Sequence, residues 1–245
     1  MGVDYKVDSN AVNKQFFYDG DRLLMDINLG TITYTNTAEG SREVYEAYKI
    51  EIHFPSEHYI TINNKTPRYE IELQIYHNLI KTNNQLVTNS QIKVNRAVLS
   101  ILFTLGPQEE GDIFFNNLGI SKYNINQYGK INIPKEKEFL SFAKPVAPAS
   151  YGTGFNYSTF QGLINLINAD SGIFFYYGSE TTPPCREDVL WIVFAQPRSI
   201  ASVQTDFLKS LLAKQIQKHD LKGGKINESN ELFGNNRKIN VIFHL

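Results

Sequence analysis

Tyr176-Tyr177-Gly178-Ser179-Glu180-Thr181-Thr182-Pro183-Pro184-Cys185-Arg186-Glu187-Asp188-Val189-Leu190-Trp191-Ile192-Val193 reads as a loop that runs into a strand. Gly178 reaches backbone angles closed to other residues, and Pro183-Pro184 makes an extended corner with no backbone donors. From Val189 to Phe194 the chain is apolar and rich in β-branched and aromatic residues, the pattern of a buried strand. Two adjacent threonines ahead of a double proline therefore sit at a rigid strand entrance, where their hydroxyls can be aimed. Taken alone, Thr-Thr-Pro-Pro also fits a plain turn.

The stretch closely resembles the signature of the α-type carbonic anhydrases, Y-x-G-S-x-T-T-P-P-C-x-E-x-V-x-W. The match covers Tyr176, Gly178, Ser179, Thr181, Thr182, Pro183, Pro184, Cys185, Glu187, Val189 and Trp191 with spacing intact. The resemblance implies that Thr181 accepts a hydrogen bond from a zinc-bound hydroxide and passes its own proton to Glu57, with Thr182 beside it. It extends over Tyr45–Phe54, Ser56-Glu57-His58, Tyr69–His77, Arg96–Leu105 and the ending Asn236-Arg237-Lys238-Ile239. The family's N-terminal segment, with its aromatic cluster and S-P-I-like motif, has no counterpart in Met1–Asn13.

At 245 residues, with 42% hydrophobic and 20% charged side chains, the composition is that of a globular protein. A net charge of −1 argues against a nucleic-acid partner held through phosphates. No apolar run approaches the roughly 20 residues that a membrane-spanning helix needs. The polar start lacks the apolar stretch of a signal peptide, and Lys6 stands where a myristoylation motif wants Ser or Thr. Cys185 is the sole cysteine, so no intrachain disulfide forms and an intracellular, reducing compartment is expected.

Alternation of apolar and polar residues predicts strands at Gln15–Tyr18, Leu23–Tyr34, Tyr45–Phe54, Tyr69–His77 and Arg96–Leu105, and a closing strand at Lys238–Leu245. Turns are read at Asp19-Gly20-Asp21 and Asn63-Asn64-Lys65. Helices are predicted over Gly111–Leu118, Phe160–Ile167 and Val203–Ile216. Strands outnumber helices, and neither a repeat nor a linker divides the chain. The fold class is α+β, mainly β: one domain over residues 14–245 with a large, mostly antiparallel central sheet and peripheral short helices. Residues 1–13 read as an N-terminal extension.

A catalytic zinc takes three protein ligands and leaves a fourth position for water. In the family two histidines, H-x-H, lie on one strand and a third on its neighbour, and strand alternation brings all three together. Placed on that pattern, Lys49-Ile50-Glu51-Ile52-His53-Phe54 puts Glu51 at the first ligand position and His53 at the second. Glu72-Leu73-Gln74-Ile75-Tyr76-His77 puts Gln74 at the third. A slip of two residues, which the shorter following loop permits, would instead use His53 and Pro55. Either way one histidine of three remains, and a neutral amide is a poor zinc donor.

The expected pocket is lined by Asp21, Tyr76, Val98, Tyr176, Glu180 and Trp191. Asp21 falls where efficient members keep a proton-shuttle histidine, and Tyr76 replaces a small aliphatic residue. Glu180 replaces an apolar residue lining the CO₂ space. Glu57, His58, Tyr176 and Thr181 are expected in a buried hydrogen-bond network, and His77 as a satisfied core histidine. The expectation is therefore a carbonic anhydrase-like protein without zinc or hydratase activity. It would serve as a structural or protein-binding module, with other subunits covering the sheet surface that the missing N-terminal segment would protect. The alternative is an active zinc hydratase with atypical ligands. A third possibility is a cationic or polar small molecule held by Glu51, Tyr76 and Glu180.

Overall fold

The computed structural model describes residues 1–6, 17–18, 22–36, 41–58, 60, 69–82, 94–106, 114–115, 157–168, 172–181, 185–202 and 205–206. Among these residues ten strands form one sheet: β1 (Gly2–Tyr5), β2 (Phe17–Tyr18), β3 (Arg22–Asp26), β4 (Gly30–Asn36), β5 (Ser41–His53), β6 (Ile71–Thr82), β7 (Arg96–Leu105), β8 (Ile173–Gly178), β9 (Val189–Phe194) and β10 (Arg198–Ile200). The main path runs β1-β4-β5-β6-β7-β9-β8. Pairing is antiparallel except where β9 and β10 run parallel to β7, so the sheet is mixed rather than purely antiparallel.

The stretch predicted as one strand over Leu23–Tyr34 is two strands laid end to end along β5. Arg22–Asp26 pairs with Lys49–His53, and Thr31–Asn36 with Ser41–Glu46. The break has a local cause. The Asn28 carboxamide accepts the Gly30 N–H at 2.8 Å and donates to Glu46 at 3.1 Å, closing a turn between the two strands. Gly30 then takes φ +108°, and a Cβ there would stand 2.4 Å from the Asp4 carbonyl oxygen of β1.

Alternation along β5 and β6 divides the side chains between two faces. Ile50 and Ile52 join Leu73, Ile75, Leu99, Ile101, Leu190 and Ile192 in the larger core. One helix, α1 (Tyr157–Asn168), supplies Phe160, Leu163, Leu166 and Ile167 to it, the spacing of a single helical stripe. The sheet curls over this core, so that the rings of Tyr34 on β4 and Phe175 on β8 lie 5.1 Å apart. Tyr5 of β1 likewise reaches past β4 and β5 to His77 of β6. Since the Ala97 carbonyl can only accept, at 3.1 Å, His77 Nδ1 carries the proton and Nε2 accepts from the Tyr5 hydroxyl. Burial lowers the pKa of His77 to about 4, which makes it the neutral core histidine read from the sequence. The opposite face carries a smaller cluster built on Tyr69, Tyr76, Val98, Leu102, Val189, Trp191 and Val193.

The predicted helix Phe160–Ile167 and the four strands Tyr45–Phe54, Tyr69–His77, Arg96–Leu105 and Val189–Phe194 are present within a few residues of their expected limits. Met1–Asn13, read as an extension, contributes β1 to the sheet. The turns at Asp19-Gly20-Asp21 and Asn63-Asn64-Lys65 and the strand Lys238–Leu245 lie outside the described residues, as does most of the helices Gly111–Leu118 and Val203–Ile216. No helix among the described residues is long and apolar enough to cross a membrane.

Gly30→Ala will lower stability by about 1–3 kcal/mol from backbone strain alone, with the β1 clash adding to it. Gly172→Ala, whose new methyl would meet only the Ala195 methyl at 3.6 Å, will stay within about 0.5 kcal/mol of the parent. Urea unfolding midpoints of the two variants check this.

Candidate functional site

On the face opposite the larger core, cross-strand pairing sets side chains in three transverse rows. His53 stands opposite Glu72; Glu51 opposite Gln74, which is opposite Ser100; and Lys49 opposite Tyr76, which is opposite Val98. The last row continues through Trp191 to Tyr176. The direct Glu51–Gln74 pairing fixes the relation of β5 to β6 that the sequence left open between two registers. Glu51, His53 and Gln74 do converge.

What they converge on is one another and their neighbours. Glu51 is fully buried; its Oε2 meets His53 Nε2 at 3.0 Å and Arg22 Nη1 at 3.1 Å, while its Oε1 lies 2.6 Å from Lys49 Nζ. The other ring nitrogen of His53, Nδ1, lies 3.2 Å from Glu57 Oε1. Gln74 donates its amide to Glu57 Oε2 at 3.0 Å and to Glu72 Oε1 at 2.8 Å, and its carbonyl accepts the Tyr76 hydroxyl at 2.7 Å.

Glu72 is the hub of this arrangement and was not singled out from the sequence. Its Oε2 accepts the backbone N–H groups of Glu57 and His58, each at 2.8 Å. Its Oε1 accepts from Ser100 Oγ at 2.7 Å, from Gln74 and from His58 Nδ1. His58 then reaches the Tyr176 hydroxyl through Nε2 and packs edge-on against Trp191, ring centres 4.7 Å apart. The clue in the sequence was a carboxylate on the same strand face as Gln74 and Tyr76. Lys49 could have been found the same way, two residues before Glu51. Arg22 could not, because its place beside Glu51 depends on the pairing of β3 with β5.

Charge compensation sets the protonation states. Burial pushes the Glu51 carboxyl up, but the His53 hydrogen bond and the Lys49 charge overcome it and hold the pKa at about 2. Burial pulls His53 down, yet its bonds to Glu51 and Glu57 raise it to about 9. Burial likewise opposes ionisation of Glu72, and the His58 charge and hydrogen bond hold it well below the usual carboxylate range. His58 is raised, against its own desolvation, by Glu72. At neutral pH the site thus holds carboxylates against the His53 imidazolium, Arg22 and Lys49.

Two expectations from the resemblance are corrected here. Thr181 is exposed, and Glu57 turns its oxygens to His53 and Gln74, which offer N–H donors, and not to the threonine. The Glu180 carboxylate faces Arg96 Nε at 3.5 Å, and Arg96 also pairs with Asp188 at 2.7 Å, so an ion partner draws Glu180 to the head of β7. With Glu51 and Glu180 both matched by protein cations, the third reading, a cationic ligand, loses its basis. Tyr76, Val98, Trp191 and Tyr176 share one cross-strand row, with Tyr176 and Trp191 stacked at 9°. Asp21 and Thr182 lie outside the described residues.

These shifts give stability a definite pH profile. His53 has a raised folded-state pKa, so its contribution is complete below 6.5 and is lost as pH climbs towards about 9, and His58, also raised, acts in the same direction. Glu51, with a lowered value, contributes fully above 4.5 and loses that contribution as pH falls towards about 2. His77, also lowered, costs stability as pH drops from 6.5 to about 4. The melting temperature will therefore peak near pH 6.5 and fall on both sides. In His53→Gln the alkaline limb will shrink by on the order of 2 kcal/mol, measured by thermal melts between pH 5 and 9.5.

A model of the eukaryotic-type carbonic anhydrases matches residues 4–243. Dioscorin dioA3 of Dioscorea japonica is 27% identical over 204 residues, which cover 81% of this chain and 56% of the dioscorin, so the chain spans little more than half of that relative. Among solved structures, dioscorin complexed with ascorbate aligns with a TM-score of 0.53 at 24% identity, over 86% of this chain and 68% of that one. The α-carbonic anhydrase of Photobacterium profundum aligns with 0.51 at 20% identity, over 85% and 72%. Fold and family model agree: the chain belongs to the eukaryotic-type carbonic anhydrase family.

Proposed function

We propose that this chain is a carbonic anhydrase-like domain that holds no catalytic zinc, does not hydrate CO₂, and serves as a structural or protein-binding module within a larger assembly. The observation that carries the first part is His53, the one histidine at the three ligand positions. Both of its ring nitrogens face carboxylates, at 3.0 and 3.2 Å, and both must carry protons to make those contacts. An imidazolium has no lone pair to give a metal. Gln74 turns N–H donors, and no acceptor, towards Glu57 and Glu72, and Glu51 is already capped by Arg22 and Lys49. This donor set fits zinc poorly.

The binding-module half is supported by what is kept. The Glu72 hub fixes the Ser56–His58 segment and, through His58 and Tyr176, the strand that leads into the signature loop. A scaffold held this firmly presents a defined surface whether or not chemistry occurs on it. Cys185 is exposed and unpaired, in keeping with a reducing compartment.

Elemental analysis of the purified protein will find zinc far below one per chain, and CO₂ hydration will stay at the uncatalysed rate with no response to a sulfonamide. One zinc per chain with sulfonamide-sensitive hydration would establish the atypical-ligand hydratase instead. Isolation under native conditions will yield the chain with other subunits; recovery as a lone, fully folded monomer from its own cells would remove the assembly role.

A further inference from the structure

We infer that Arg22, acting with Lys49, is a built-in cation that takes the electrostatic place of a metal and keeps divalent ions out of this site. The inference rests on the metal-free reading above and adds the residues that enforce it. Three carboxylates, Glu51, Glu57 and Glu72, gather on one sheet face with an imidazole among them, a set that by charge alone would attract a divalent cation. Glu51 and Glu72 have no exposed surface, so some positive charge must accompany them.

Arg22 supplies it from outside the strand pair that bears the ligand positions. It stands opposite His53 in the β3–β5 ladder, so Glu51 is its diagonal neighbour, within reach of a long side chain. Its guanidinium meets Glu51 Oε2, the same oxygen that meets His53, and its side chain is only 13% exposed. Lys49 closes the other oxygen and is held over the Tyr76 ring, 4.1 Å from its centre. A metal approaching Glu51 would have to displace both cations, and it would meet their repulsion in a poorly solvated place where charges are weakly screened.

The test compares the parent, Arg22→Met and Arg22→Lys by titration with Co(II) and Zn(II) at pH 7, reading heat and, for Co(II), visible absorption. The parent and Arg22→Lys will bind weakly or not at all, while Arg22→Met will bind at least roughly a hundredfold tighter and develop a cobalt absorption band. Arg22→Met that folds and binds no more tightly than the parent overturns the inference and leaves the metal-free reading standing. Stoichiometric zinc on the parent overturns both. Lys49→Met is read in the same way should Arg22→Met fail to fold. Loss of the fold in both variants assigns the two cations to stability alone and also overturns the inference.

Discussion

A carboxylate with no exposed surface has to be met by donors, and Glu72 is met by five: two backbone amides, a hydroxyl, a carboxamide and an imidazole. The rest of the site depends on this constraint. Because Oε2 takes the amides of Glu57 and His58, the chain leaving β5 must turn in beside β6, and that places Glu57 against His53 and Gln74. Because Oε1 takes His58, the imidazole is set to reach Tyr176 on β8, the strand that opens the signature loop. Removing such a group leaves five donors facing a void. Breaking one partner of a buried charge network commonly costs about 3–5 kcal/mol, more than the network's net contribution to folding.

The larger features were legible in the sequence because they are local. Alternation in Lys49–Phe54 and Glu72–His77 assigned Glu51, His53, Gln74 and Tyr76 to one strand face, and the face is as read. The signature loop announced its strand, and β9 is buried along its whole length. The break between β3 and β4 was not legible, since Asn28 and Gly30 are unremarkable until the Asp4 carbonyl crowds the glycine. Nor was the role of β1: Tyr5 finds His77 only after the sheet has curled, and no pattern within the first six residues encodes that meeting.

The same division runs through the site. Positions followed from spacing, but partners did not. Glu180 was placed correctly in the loop, yet its carboxylate goes to Arg96, 84 residues earlier, in a contact that exists only because β7 and β9 run side by side. Glu57 kept its place and changed its company. Where a threonine was the expected neighbour, the nearer donors are the His53 imidazole and the Gln74 amide. Periodicity tells which face a side chain takes, and only the pairing of distant strands tells what it meets there.

Charge balance explains why the side chains at these positions belong together. The Glu51 carboxylate adds a negative charge to a place already holding Glu57 and Glu72, and burial alone would drive it to protonate. It stays ionised because Arg22, Lys49 and a protonated His53 surround it. The Gln74 amide completes the balance by giving its N–H groups to Glu57 and Glu72. Each of these groups is costly to bury by itself and compatible with the others. The site therefore reads as a charge-compensated unit, in which the protein's own cations and amides meet its buried carboxylates.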